Sequence, residues 1–156
     1  FSHGVMTALF FAVVGMVYDR AHTRDIARLG GLYRKMPWAA VGFIIGGLVS
    51  MGMPGFSGFV AEFPIFMGAW QAMPVVAIIA ILGILITAAY ILLVVRRVFF
   101  GDLPADYEMV ADISPLDKIA IGVLAAMMIA LGCFPVLMEP LVASGVEHIM
   151  ALLGGM

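Results

Sequence analysis

The chain of 156 residues is 64% hydrophobic and only 12% charged, with 8 Lys and Arg against 10 Asp and Glu. Soluble domains carry about 25% charge, so this composition excludes a water-soluble globular domain, and the absence of a basic excess gives nucleic acid no footing as a partner. A single cysteine, Cys133, excludes a disulfide framework and Cys-rich metal or iron–sulfur spacing; no Gly-rich nucleotide motif follows a predicted strand, so no metal or cofactor site is expected in this chain.

The fold expected is all-α and integral to the membrane: a polytopic bundle of about four crossings in a single membrane domain, 1–156. The first span covers about 1–18. Phe1 is not preceded by a charged region, and no small-residue cleavage site follows Tyr18, so the segment is not a signal peptide and the chain reads as an internal or C-terminal piece. Asp19–Lys35 holds Arg20, Arg24, Arg28, Arg34 and Lys35, which places it in the cytoplasm by the positive-inside rule. Within it, Thr23 as cap, Asp25 in the first turn and Gly30-Gly31 at the end predict a short interfacial helix.

The apolar stretch 38–72 is too long for one simple span. A helix over Trp38–Met51 covers roughly 21 Å and one over Ser57–Gln71 roughly 22 Å, each short of a ~30 Å hydrocarbon core. Two full spans would also put the basic loops on opposite sides, so one helix broken at 52–57 is expected. Gly52, Pro54, Gly55 and Gly58 make the break, and Pro64 leaves the Val60 carbonyl without its helical donor. Gly42 and Gly46, four apart, let another helix approach closely.

The next span runs over about 74–96 and ends on Arg96 and Arg97, which anchor it at the cytoplasmic headgroups. Leu103–Ile113 and its acidic flanks read as a solvated loop. Ser114, Pro115 and Asp117 form a capping-box start for the span 117–135, and 136–156 is an amphipathic tail without Lys or Arg.

Two ionisable residues stand out. Glu62 is the only Asp, Glu, Lys, Arg or His between Trp38 and Val95, and a carboxylate at membrane depth costs roughly 3 kcal/mol or more unless it is paired, protonated or wetted. It follows the break, and broken helices beside an ionisable group are how transporters build ion sites near the midplane. His3 opens the first span with Thr7 one turn on, on the same face, and histidine passes protons near neutral pH. Both are candidates for a proton relay; a permanently bonded Glu62 and a merely terminal His3 are the bland readings.

The stretch from His3 to Ala40, followed by Ser50–Phe63 (SMGMPGFSGFVAEF), resembles the antiporter-like subunits of respiratory complex I, the proton-pumping NADH:quinone oxidoreductase. The resemblance implies the C-terminal part, the last four of about fourteen helices, of that fold. The glutamate in the pattern Gly58–Phe63 points to the M-type within the group, where L- and N-type subunits carry lysine. It further implies that Glu62 is the outlet end of a lateral chain of protonatable groups, with His3 on its axis, and that the chain is a non-redox subunit of a translocase. NADH, FMN, iron–sulfur clusters and quinone are then expected in other subunits, and L- and N-type subunits and the lipid of a bacterial inner membrane are the expected partners. A subunit of an Mrp-like cation/proton antiporter or of a membrane-bound hydrogenase is the alternative.

Overall fold

The computed structural model describes residues 1–154; positions 155 and 156, the end of the tail assigned to 136–156, lie outside the described residues. Six α-helices follow in order: α1 (Ser2–Ala21), α2 (Pro37–Ser50), α3 (Ser57–Ala72), α4 (Pro74–Val98), α5 (Pro115–Cys133) and α6 (Glu139–Gly154), with no strand among the described residues. Three of them, α1, α4 and α5, are long and apolar enough to cross a membrane.

α2 and α3 are the two halves of an interrupted crossing. At 14 and 16 residues they measure about 21 and 24 Å. They make little contact with each other beyond the break, while both pack on α4 and α5. A one-residue connection, Met73, folds α4 back antiparallel to α3. Ile91, near the far end of α4, therefore reaches Gly47 of α2.

α2 is the centre of the bundle because it is lined with small residues. Ala39, Ala40, Gly42, Gly46 and Gly47 are buried, and a Cβ at Gly42 would meet Ile121 and Val13, one at Gly46 the Phe10 ring, one at Gly47 Ile91. Small residues let backbones approach where no hydrophobic drive distinguishes side chain from lipid. The large apolar residues point outward instead, with Val75, Ile79, Leu85 and Ile86 of α4 all more than half exposed.

The two basic-ended connections meet at one end of the bundle. The Gly31 amide donates to the Phe100 carbonyl at 3.3 Å and the Tyr33 amide to Phe99 at 3.0 Å. Arg20, at the end of α1, reaches the start of α5, donating to the Asp117 carboxylate at 3.1 Å and to the Asp112 carbonyl at 3.4 Å. Lys118 pairs with Asp112 at 2.6 Å. Partial burial alone would raise the Asp112 carboxyl, but the Lys118 hydrogen bond, the Ile113 amide and the Lys118 and Arg20 charges together hold it below the usual carboxylate range.

Three expectations are corrected here. The interfacial helix over Asp19–Lys35 is absent; two 3-10 turns, Ile26–Arg28 and Leu32–Arg34, stand in its place, with Asp25 rather than Thr23 capping the first. The amides of Gly31 and Tyr33 are taken by the end of α4, and Leu32 and Met36 are buried beneath it, so tertiary bonding outcompetes a local helix. The acidic loop is only partly solvated: Met109 is 95% exposed, yet Tyr107 and Ile113 are 6% and 3% exposed and tuck into the core. The tail begins with a 3-10 turn, Pro135–Leu137, before α6. The capping box of α5 is formed, Ser114 Oγ accepting from the Asp117 amide and Asp117 from the Ser114 amide.

Candidate functional site

The break is a short, ordered turn. The last carbonyls of α2 are satisfied across it: Gly47 accepts from Met51 at 2.9 Å, Leu48 from Met53 at 3.0 Å and Val49 from Gly52 at 3.1 Å. The chain then turns through Gly52 and Gly55, at φ 64° and 92°, angles that L side chains rarely adopt. Pro54 sits between them with no amide to satisfy.

Non-helical backbone at membrane depth persists only when it is covered by protein or lines a water-filled cavity, and this turn has protein on one side and a cavity on the other. On one side α5 covers the turn, with Gly132 pressed directly on the Gly55 carbonyl and the Phe56 backbone and the Cys133 thiol 3.7 Å from the Gly55 carbonyl oxygen. Gly58 lies against the Val49 carbonyl, so the two half-helices touch through backbone. Ser57, which opens α3, is 4% exposed and shares a hydrogen bond of 2.8 Å with Ser2 of α1.

On the other side lies the cavity. Its volume is about 260 Å³, and Ser2, His3, Ser50, Gly58 and Glu62 are among its lining residues. At roughly 30 Å³ per water, it has room for a small cluster of them. Glu62 enters it from the second turn of α3. Helical side chains tilt toward the N-terminus, so its carboxylate folds back over the break, where Oε2 lies 2.6 Å from the place a Cβ on Gly52 would occupy. His3 enters from α1, its Nε2 3.4 Å from Thr7 Oγ1. A second hollow, about 440 Å³, continues past His3 and Ser50 to Tyr90 on α4.

Of the residues singled out from the sequence, Glu62, His3, Gly52 and Gly58 therefore converge on one place; on the same turn the Gly55 carbonyl faces α5 and Pro54 is exposed. Pro64 stands two residues past Glu62, inside α3 and exposed. Arg96 and Arg97 lie apart, exposed at the end of α4 beside Leu93 and Phe100. Ser2, Ser50 and Ser57 had drawn no attention as site residues. Isolated hydroxyls in an apolar chain are ambiguous; the one available signal was Ser57, placed where the second half-helix begins.

Residues 1–101 match the family described as NADH:quinone oxidoreductase/Mrp antiporter, transmembrane. Among curated relatives, NADH-quinone oxidoreductase subunit M of Rhodobacter capsulatus is 39% identical over 150 residues, 96% of this chain and 29% of that protein. Among solved structures, respiratory complex I from Thermus thermophilus with bound NADH superposes with a TM-score of 0.78 at 31% identity, covering 86% of this chain and 28% of the matched one. An archaeal respiratory complex, the membrane-bound sulfane sulfur reductase, gives a TM-score of 0.78 at 28% identity over 84% and 22%. The chain spans about a third of the length of the relatives it matches.

Proposed function

Because the chain belongs to the transmembrane family of NADH:quinone oxidoreductases and Mrp antiporters, we propose that it is the proton-translocating part of an M-type subunit in a quinone-reducing complex of the bacterial inner membrane. The observation that carries this reading is the Glu62 carboxylate on the first full turn past a broken helix, at a water-sized cavity that also receives His3. An ionisable side chain facing a bundle interior is costly and marks a proton or ion path.

In this mechanism Glu62 takes up a proton from the cavity water on the His3 side and passes it on when a change in the complex favours the charged carboxylate. His3, whose Nε2 faces the Thr7 hydroxyl, has its other ring nitrogen, Nδ1, left to exchange protons with the same water. The hydroxyls of Ser2 and Ser50 donate to and accept from that water. This chain acts as a non-redox subunit of the translocase; electrons pass through NADH, FMN, iron–sulfur clusters and quinone held by other subunits, and L- and N-type subunits continue the relay along the membrane.

The family description also covers Mrp antiporters, which supports a second reading, in which the same unit serves an Mrp-like cation/proton antiporter or a membrane-bound hydrogenase. Both readings need Glu62 to titrate. In the full-length subunit within its complex, Glu62→Gln keeps the shape and removes the proton, and proton uptake into membrane vesicles per assembled complex falls at least about 10-fold, while Glu62→Asp keeps part of it. Unchanged pumping by a fully assembled Glu62→Gln complex sinks the assignment. Quinone-reductase activity coupled to that uptake separates the first reading from the second.

A further inference from the structure

We propose that Gly52 positions the Glu62 carboxylate: the missing side chain at 52 is the space in which the acid rests. The inference rests on the relay reading for its functional consequence, though not for its geometry. A Cβ built on Gly52 would meet Glu62 and nothing else, Oε2 at 2.6 Å and Cδ at 3.6 Å. Real Cβ atoms essentially never come within 3.0 Å of another heavy atom, so any side chain at 52 moves the carboxylate.

The turn contains its own control. Gly52 and Gly55 both have positive φ, 64° and 92°, so each carries a backbone demand, the greater at Gly55, which lies beyond the left-handed region open to L residues, but a Cβ on Gly55 meets nothing within 4 Å. Backbone strain therefore burdens Gly55→Ala at least as much as Gly52→Ala, and contact with the carboxylate belongs to Gly52 alone. Gly58 differs from both: a Cβ there collides with the Val49 carbonyl, so substitution would part the two half-helices.

With the wall at residue 52 absent, the carboxylate lies back over the break beside the first turn of α3. A methyl there leaves it one direction to go, outward into the cavity lined by Ser2, His3 and Ser50. The displaced acid is more open to reagents from that cavity and worse placed for transfer, since a misplacement of about 1 Å can cost 100-fold in rate. Shortening the side chain by one methylene withdraws the carboxylate from the new methyl, so Glu62→Asp compensates Gly52→Ala.

The test compares Gly52→Ala with Gly55→Ala in the full-length subunit and assembled complex, read by proton uptake per complex and by the rate at which a hydrophobic carbodiimide labels Glu62. Gly52→Ala is expected to lose about 10-fold more pumping than Gly55→Ala and to label several-fold faster, and Gly52→Ala with Glu62→Asp is expected to pump better than Gly52→Ala alone. Equal losses at the two glycines, or unchanged labelling in Gly52→Ala, overturn the proposal. If Gly52→Ala fails to assemble, recovery of assembly on adding Glu62→Asp supports it and continued failure overturns it. Wild-type pumping by Glu62→Gln would defeat the relay reading alone, and the labelling rates would still decide where the carboxylate sits.

Discussion

Two polar contacts hold the ends of α1 in place, and they differ in depth. Ser57 is almost wholly buried, and its bond to Ser2 joins α1 to the start of α3 beside the cavity. Hydrogen bonds between membrane helices average about 0.6 kcal/mol in double-mutant cycles, so Ser2→Ala and Ser57→Ala should couple by about that amount in the unfolding of the full subunit. A coupling of zero would show that the hydroxyls part company in the assembled protein. At the opposite end, Arg20 of α1 donates to the Asp112 carbonyl, and the Asp112 side chain, 36% exposed, is paired with Lys118. A carboxylate held below its ordinary value contributes stability above that value and loses it as the pH falls through its folded one. Asp112→Asn should therefore destabilise the complex at pH near 7 by about 0.5 kcal/mol, and its thermal midpoint should converge on wild type only as the pH falls below the ordinary aspartate value of about 4, through the lowered value of the folded state. Raising the salt should narrow the gap too. A difference independent of pH would assign the effect to packing.

At the scale of elements, the break works because α5 lends it a glycine. Gly132 touches the Gly55 carbonyl and the Phe56 backbone, leaving no room for a side chain. Gly132→Val should push α5 off the turn, expose its backbone to lipid and abolish assembly, as judged by the amount of complex on a native gel. Gly122 of the same helix, with nothing within 4 Å of a Cβ, is the comparison: Gly122→Val should assemble several-fold better. Equal yields would mean that α5 does not support the break. Arg96 and Arg97 act differently. They end α4 exposed, with no acidic partner among the described residues, so charge at the headgroups is their contribution. Replacing both with Lys should leave pumping within about twofold; a collapse in an assembled complex would assign them a more specific role.

For the molecule as a whole, the bonds from Gly31 and Tyr33 to the end of α4 put the basic loop and the α4–α5 connection on one face of the membrane, and the α3–α4 connection on the other. Single cysteines at Ala27, Met73 and Met109, with Cys133 replaced, should label accordingly in oriented vesicles: Ala27 and Met109 from the cytoplasmic side, Met73 from the opposite one. Labelling of Ala27 and Met109 from opposite sides would reject the single broken crossing.

Much of this architecture was already legible in the chain. The membrane environment follows from 64% hydrophobic and 12% charged residues, because hydrocarbon admits few charges whatever the fold. The break at Gly52, Pro54 and Gly55 and the capping box of α5 are local, written in residues that restrict backbone angles or supply a nearby acceptor. Glu62 was conspicuous because a lone carboxylate in an apolar tract is costly anywhere in a bilayer. Other features depended on residues distant in sequence. The loop from Asp19 to Lys35 carries helix signals but gives its amides to α4. Tyr107 looked solvated until its ring found the core. The shared cavity of His3 and Glu62, the Ser2–Ser57 bond and the fit of the carboxylate over Gly52 are meetings of α1, α2 and α3. Local patterns specify angles and polarity along a helix. Which faces come together is decided by packing, and here the small residues of α2 decided it by letting α1, α4 and α5 close around them.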